Sequence, residues 1–162
     1  MNYFKQLKKS AEIGIFENKK DGDGQSIAEY AASNEFGATI KSEKAKNWLA
    51  WQMRLVGIPV SRIKKDIVIP ERSFMRSSYD ENLKTVMESL RKNVAKDCIN
   101  NGNFPSLLLK HGELVRNNMI KKIRSAKEWA DGLSDFTKAK KGNDTILIES
   151  GNMWKAIDLR LK

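Results

Sequence analysis

Residues 69–82 read IPERSFMRSSYDEN, and two different periodicities meet in them. Upstream, KKDIVIP carries Ile67, Val68 and Ile69 as the short apolar run of a strand, which Pro70 ends because proline has no N–H to offer a ladder. Downstream, Leu83, Val86, Met87, Leu90, Val94 and Cys98 recur at the spacing of one helix face. Ser77 or Ser78 is expected to cap that helix, with Asp80 and Glu81 favouring its positive end. Phe74 then becomes an apolar anchor able to enter the core where strand turns into helix. Arg72 and Arg76 have the reach and the forked donors to pair with carboxylates, within the chain or on a neighbouring subunit.

Working outward, AEIGIFEN alternates, with Ile13 and Ile15 on one face, as a strand does. KKDGDGQS is a turn, since glycine accepts the positive φ of a tight bend; the ligand spacing of a calcium loop is not matched. Ser26 and Glu29 form a capping pair for a helix that runs to Gly37, whose small face of Ile27, Ala28, Ala31 and Ala32 suits close approach to a sheet. A further helix is expected over Glu43–Leu55. Its Trp48, Leu49, Trp51 and Met53 either pack it onto the domain or offer rings on which bases could stack.

The second long helix is expected to start near Pro105 and to continue through Leu108, Val115, Met119 and Ile123. Gly112 inside it implies a close crossing, expected against the preceding helix. The lysine run with Gly142 and Asn143 reads as a loop, and AIDLRLK as a closing strand with Ile157, Leu159 and Leu161 on one face. These elements give an α+β fold: a small, mostly antiparallel sheet packed against two long helices plus shorter ones. A single domain over residues 1–162 is expected, with a basic, tryptophan-containing insertion at about residues 41–65.

Composition narrows the function classes. A chain of 162 residues with 40% hydrophobic and 31% charged residues can bury a real core and fits no disordered class. No apolar run approaches the roughly 20 residues of a membrane span, and MNYFKQLKKS lacks the apolar centre of a secretory signal, so no membrane partner is expected. One cysteine and one histidine cannot build a zinc cluster. Cys98 reads as a packing thiol and His111 as a structural or surface histidine. No hydrolase, kinase or metalloprotease motif is present, so neither catalysis nor a cofactor is expected. The net charge is +10, made of −1 over residues 1–40 and +11 over residues 41–162. Such a field draws nucleic acid, acidic protein and anionic membrane alike.

Four stretches in order resemble the tailed-bacteriophage virion morphogenesis proteins, the tail completion and head-tail joining proteins and their prophage copies. They are IAEYAASNEFGA, NWLAWQMRLVGIPV, IVIPERSFMRSSYDEN and EWADGLSDFTKAKKGNDTILIESGNMWKAI. The resemblance is carried by Asn34, Glu35, Phe36 and Gly37; by Ile69, Pro70, Arg72, Phe74 and Arg76; by Trp129; and by Leu147, Ile148, Glu149, Ser150 and Gly151. Ser73 stands where the family often has a second proline, and Ile146 and Glu149 where proline and aspartate are common. The resemblance implies a structural protein at the virion neck or tail end, made in the bacterial cytoplasm. It would complete the tail and join it to the head, with head-connector and tail proteins as partners. It also implies a cyclic homo-oligomer, for which six subunits would suit the tail's symmetry. The rival reading is a non-specific nucleic-acid-binding protein that uses the basic field of residues 41–162; for the virion protein, any contact with DNA would be incidental.

Overall fold

The computed structural model describes residues 8–60, 63–100 and 102–162, without the side chain of Cys98, so the packing role expected of that thiol lies outside the described residues. In chain order the elements are β1 (Ala11–Ile15), α1 (Ile27–Phe36), β2 (Ala38–Ile40), α2 (Glu43–Leu55), β3 (Ile67–Ile69), α3 (Phe74–Ile99) and α4 (Phe104–Arg124). A 3-10 turn (Ala126–Glu128), α5 (Asp135–Lys141), α6 (Asn152–Lys155) and β4 (Ile157–Leu161) complete it. The class is α+β, with two long helices, four shorter ones and antiparallel strands.

The strands form two separate ladders. β1 pairs with β4, Ile13 opposite Leu159, so the first and last strands close on each other. β3 does not join them; it pairs with β2, Thr39 opposite Val68. β2 has only three residues, too few for an alternation to be legible in the sequence.

α3 and α4 lie against each other as a helical hairpin, and α4 also rests on β1 and β4. Gly112 marks that second contact. A Cβ there would stand 2.6 Å from Leu159 Cδ1, so the close crossing is with β4, and the expected crossing with α3 is corrected. Its neighbour His111 faces α3 instead. That ring is buried, with Nδ1 2.9 Å from the Leu107 carbonyl and Nε2 3.3 Å from Ser89 Oγ.

The core gathers at the end of the hairpin where α1, α6 and the β1–β4 ladder converge. Ala31, Phe74, Met119, Ile123, Met153 and Ile157 are buried together, with Ile13, Ile15, Trp129, Leu147 and Trp154 packed around them. Phe74 and Ile123 are fully enclosed, each worth about 1.5–3 kcal/mol of apolar burial. α1 reaches this core through Ala31, whose small side chain lets the helix lie close to β1 and α3.

Two expectations are corrected locally. The lysine run belongs to α5, not to a loop: Ser134 Oγ accepts from the Thr137 N–H at 3.3 Å, and Gly142, at φ 68°, closes the helix. Lysine and alanine are good helix formers once both ends are capped. The start of α3 lies at Phe74, ahead of the expected Ser77 and Ser78. Among the described residues no helix is long and apolar enough to cross a membrane.

Candidate functional site

The junction raises a bonding question at the start of α3. Ser73 is the N-cap residue, yet its side chain makes no capping bond, and no acidic residue stands in the first turn. The missing acceptor comes from α1. The Glu35 carboxylate accepts from the Met75 N–H at 2.8 Å, the Arg76 N–H at 2.9 Å and Ser73 Oγ at 3.1 Å. Glu35 is 4% exposed, so a buried anion sits on the positive end of a 26-residue helix.

The chain path explains how Glu35 arrives there. Gly37, at φ 70°, lets the backbone leave α1 and enter β2, and the β2–β3 ladder then brings the chain back past the end of α1. A Cβ on Gly37 would stand 3.1 Å from both the Ile69 carbonyl oxygen and the Glu71 nitrogen, so glycine is required by φ and by space. Asn34 adds its carbonyl, which accepts from the Arg72 N–H at 2.6 Å, while its side-chain amide donates to the Tyr30 carbonyl at 2.8 Å. Phe36 stays 63% exposed beneath the Arg76 guanidinium, 4.6 Å from the ring centre. Each residue of NEFG thus has its own task in holding α1, β3 and α3 together.

The two arginines have different partners. Arg76 donates from Nε to Glu35 Oε1 at 3.1 Å, and from Nη2 to the Glu35 carbonyl at 2.8 Å and to Glu71 Oε1 at 2.7 Å. The bond to Glu35, then that to Glu71, raises its pKa above the ordinary arginine value. Arg72 was expected to pair with carboxylates and instead meets backbone. Buried at 7% exposure, it reaches the Asp131 carbonyl from Nε at 3.4 Å and from Nη2 at 3.3 Å, and the Gly132 carbonyl from Nη2 at 3.5 Å. Burial lowers its pKa, with the Asp131 charge opposing. Arg72 therefore ties the junction to the segment that follows Trp129.

Trp129 donates its Nε1–H to the Lys122 carbonyl at 2.9 Å, and the Lys122 ammonium stands 4.9 Å from its ring centre. Gly151, at φ 79°, opens α6 beside the Trp154 indole, and α6 delivers Met153 into the core that holds Phe74. Leu147, at φ 60°, is the one non-glycine residue with positive φ among those described, so the turn before Gly151 is held in a conformation side chains rarely adopt. Asn34–Gly37 and Pro70–Arg76 thus meet directly, Trp129 joins them through Arg72 and the Asp131 and Gly132 carbonyls, and Gly151 is reached only through the core.

A surface depression of about 280 Å3 opens beside this junction, lined by Glu71, Ser73, Ser77, Lys122, Trp129 and Asp131. Its hydroxyls are engaged: Ser73 donates to Glu35 and Ser77 to the Ser73 carbonyl. Among the described residues no three His, Cys, Asp or Glu side chains gather as a metal-binding group. The arrangement fixes geometry.

The sequence reading missed Glu71 and Ser73 as partners in this network. It also missed Lys46, a buried lysine of α2 bonded to Asp66 at 2.9 Å and to Glu43 at 3.4 Å. Comparisons with protein-family models, curated proteins and solved structures each return no match.

Proposed function

We propose that this chain is a structural protein of a tailed-phage virion that completes the tail and joins it to the head. Head-connector and tail proteins are its partners, and it assembles in the bacterial cytoplasm as a cyclic homo-oligomer. One observation carries the reading beyond the resemblance. Three charged residues of the shared motifs, Glu35, Arg72 and Arg76, are bonded within the chain and serve to fix how α1, β3 and α3 meet. A motif spent on shape rather than chemistry suits a part whose function is to fit its neighbours.

The experiment is deletion of the coding sequence from the phage or prophage, with induced lysates viewed by electron microscopy. Filled heads and separate tails, rejoined when the chain is supplied from a plasmid, are the expected result. Normal infectious particles from the deletion would overturn the proposal.

A further inference from the structure

α2 leaves both of its tryptophans exposed. Its buried positions are Lys46, 5% exposed, and Ala50, 1% exposed. Its largest apolar side chains face solvent: Trp48 at 54%, Trp51 at 51% and Leu55 at 63% exposure. Positions 48, 51 and 55 follow the i, i+3, i+7 spacing of a single helix stripe, so the rings form one ridge. On the inward face the Lys46 ammonium bonds Asp66 and Glu43, and Leu49 and Met53 are half-buried beside Ala50.

The surrounding charge is mostly positive. Glu43 and Asp66, the two carboxylates of this stretch, are both engaged by Lys46. Lys44, Arg54, Lys64 and Lys65 have no carboxylate partner among the described residues. α5 contributes a further cation, because Lys140 Nζ lies 5.5 Å from the Trp48 ring centre. The Trp48 ring and a lysine of α5 thus share one exposed surface, and Lys44 lies one turn before Trp48 on the same helix.

We propose that this ridge is a binding surface for a single-stranded polynucleotide, with bases stacking on Trp48 and Trp51 and phosphates meeting Lys44, Arg54 and Lys140. Side chains three apart on a helix stand about 5–6 Å from each other, within the reach of adjacent unstacked bases. Every base has a π-face, so such binding is tolerant of sequence, and the cations supply a salt-dependent phosphate term. Duplex hides its base faces and would be held through phosphates alone. An interfacial membrane helix keeps its cations beside an unbroken apolar face, whereas here a lysine from another element lies over the ring itself. The sugar is left uncontacted, so DNA and RNA strands should bind alike.

The test uses the full chain with labelled 20-mers of dT and rU, a 20-base-pair duplex, phosphatidylglycerol vesicles and polyglutamate, followed by anisotropy and tryptophan fluorescence. Both single strands should bind at low salt and quench the tryptophans. The double variant Trp48→Ala/Trp51→Ala should lose about tenfold or more of that affinity. Its circular dichroism should be unchanged, since both side chains are exposed, and its duplex binding should stay as it was. Trp48→Phe/Trp51→Phe should recover part of the loss, and Lys44→Ala/Lys140→Ala should flatten the salt dependence.

Single-strand binding that the tryptophan substitutions leave intact would overturn the proposal. So would failure of either 20-mer to bind, or tryptophan-dependent binding of vesicles or polyglutamate in place of the strands. The inference does not rest on the virion role: a deletion phenotype and oligonucleotide affinity are separate readouts, and either can fail alone.

Discussion

Glu35 gives the sharpest test of how the junction works. Its carboxylate takes two backbone N–H groups of the first turn of α3, the Ser73 hydroxyl and the Arg76 guanidinium, at 2.8 to 3.1 Å. Loss of a helix N-cap costs about 0.5–2 kcal/mol, and a charge-assisted hydrogen bond contributes about 1.5–3 kcal/mol. The sum is discounted because the Arg76 side chain is 49% exposed and keeps Glu71, so water and that carboxylate replace part of what is lost. The two N–H groups lie beneath a side chain 5% exposed and are less easily rehydrated. Glu35→Ala should therefore destabilise the chain by about 3 kcal/mol, or roughly 6–12 °C in midpoint for a domain of this size. Glu35→Gln keeps the shape and one acceptor but loses the charge, and should cost about 1–2 kcal/mol. Urea unfolding followed by circular dichroism reads both. An alanine variant within about 0.5 kcal/mol of the parent, with the same denaturant slope, would show that α3 needs no acceptor from α1.

Phe74→Ala empties a fully enclosed site and should cost about 3–5 kcal/mol, seen as loss of soluble protein or an early urea midpoint; a midpoint near the parent's would refute the core assignment. Ser78 Oγ is buried without a hydrogen-bond partner among the described residues, beside a cavity of about 10 Å3 between α3 and α4. Ser78→Ala should raise stability by about 1 kcal/mol, and a lower urea midpoint would contradict this. Asp158, bonded to the Leu159 N–H and paired with Lys19, and Asp144, paired with Lys127, have pKa values held below the ordinary 3.8. Folded values below the unfolded ones mean these groups stabilise fully above the unfolded pKa and lose that contribution as pH falls through the folded one. Urea midpoints should accordingly hold from neutrality down to about pH 5 and decline below about pH 4, and Asp158→Asn should make the decline shallower.

How much of this was legible beforehand follows from the range of each signal. The strand before Pro70, the capped helix from Ser26 to Gly37, the two long helices and the closing strand were readable because capping residues, proline, glycine and apolar periodicity act within a few residues of the backbone they shape. The α+β class followed from their order. The pairing of β3 was not readable, because its three-residue partner β2 is too short to show a period. Nor was the partner of Gly112, since a glycine announces a close approach without naming what approaches. The start of α3 was misplaced for the same reason of range: local hydroxyls suggested Ser77 or Ser78, while the acceptor that sets the true start sits on Glu35, some forty residues earlier. Arg72 and Arg76 were visible as residues with reach; that one takes backbone carbonyls and the other two carboxylates depends on which loops the fold lays beside them. The exposed face of α2 is the clearest case. The helix over Glu43–Leu55 and its tryptophans were readable, but that Lys46 turns inward onto Asp66 while Trp48 and Trp51 stay exposed depends on what the fold lays beside it. Local chemistry settles which elements form; which faces they bury is settled by contacts between residues far apart in the chain.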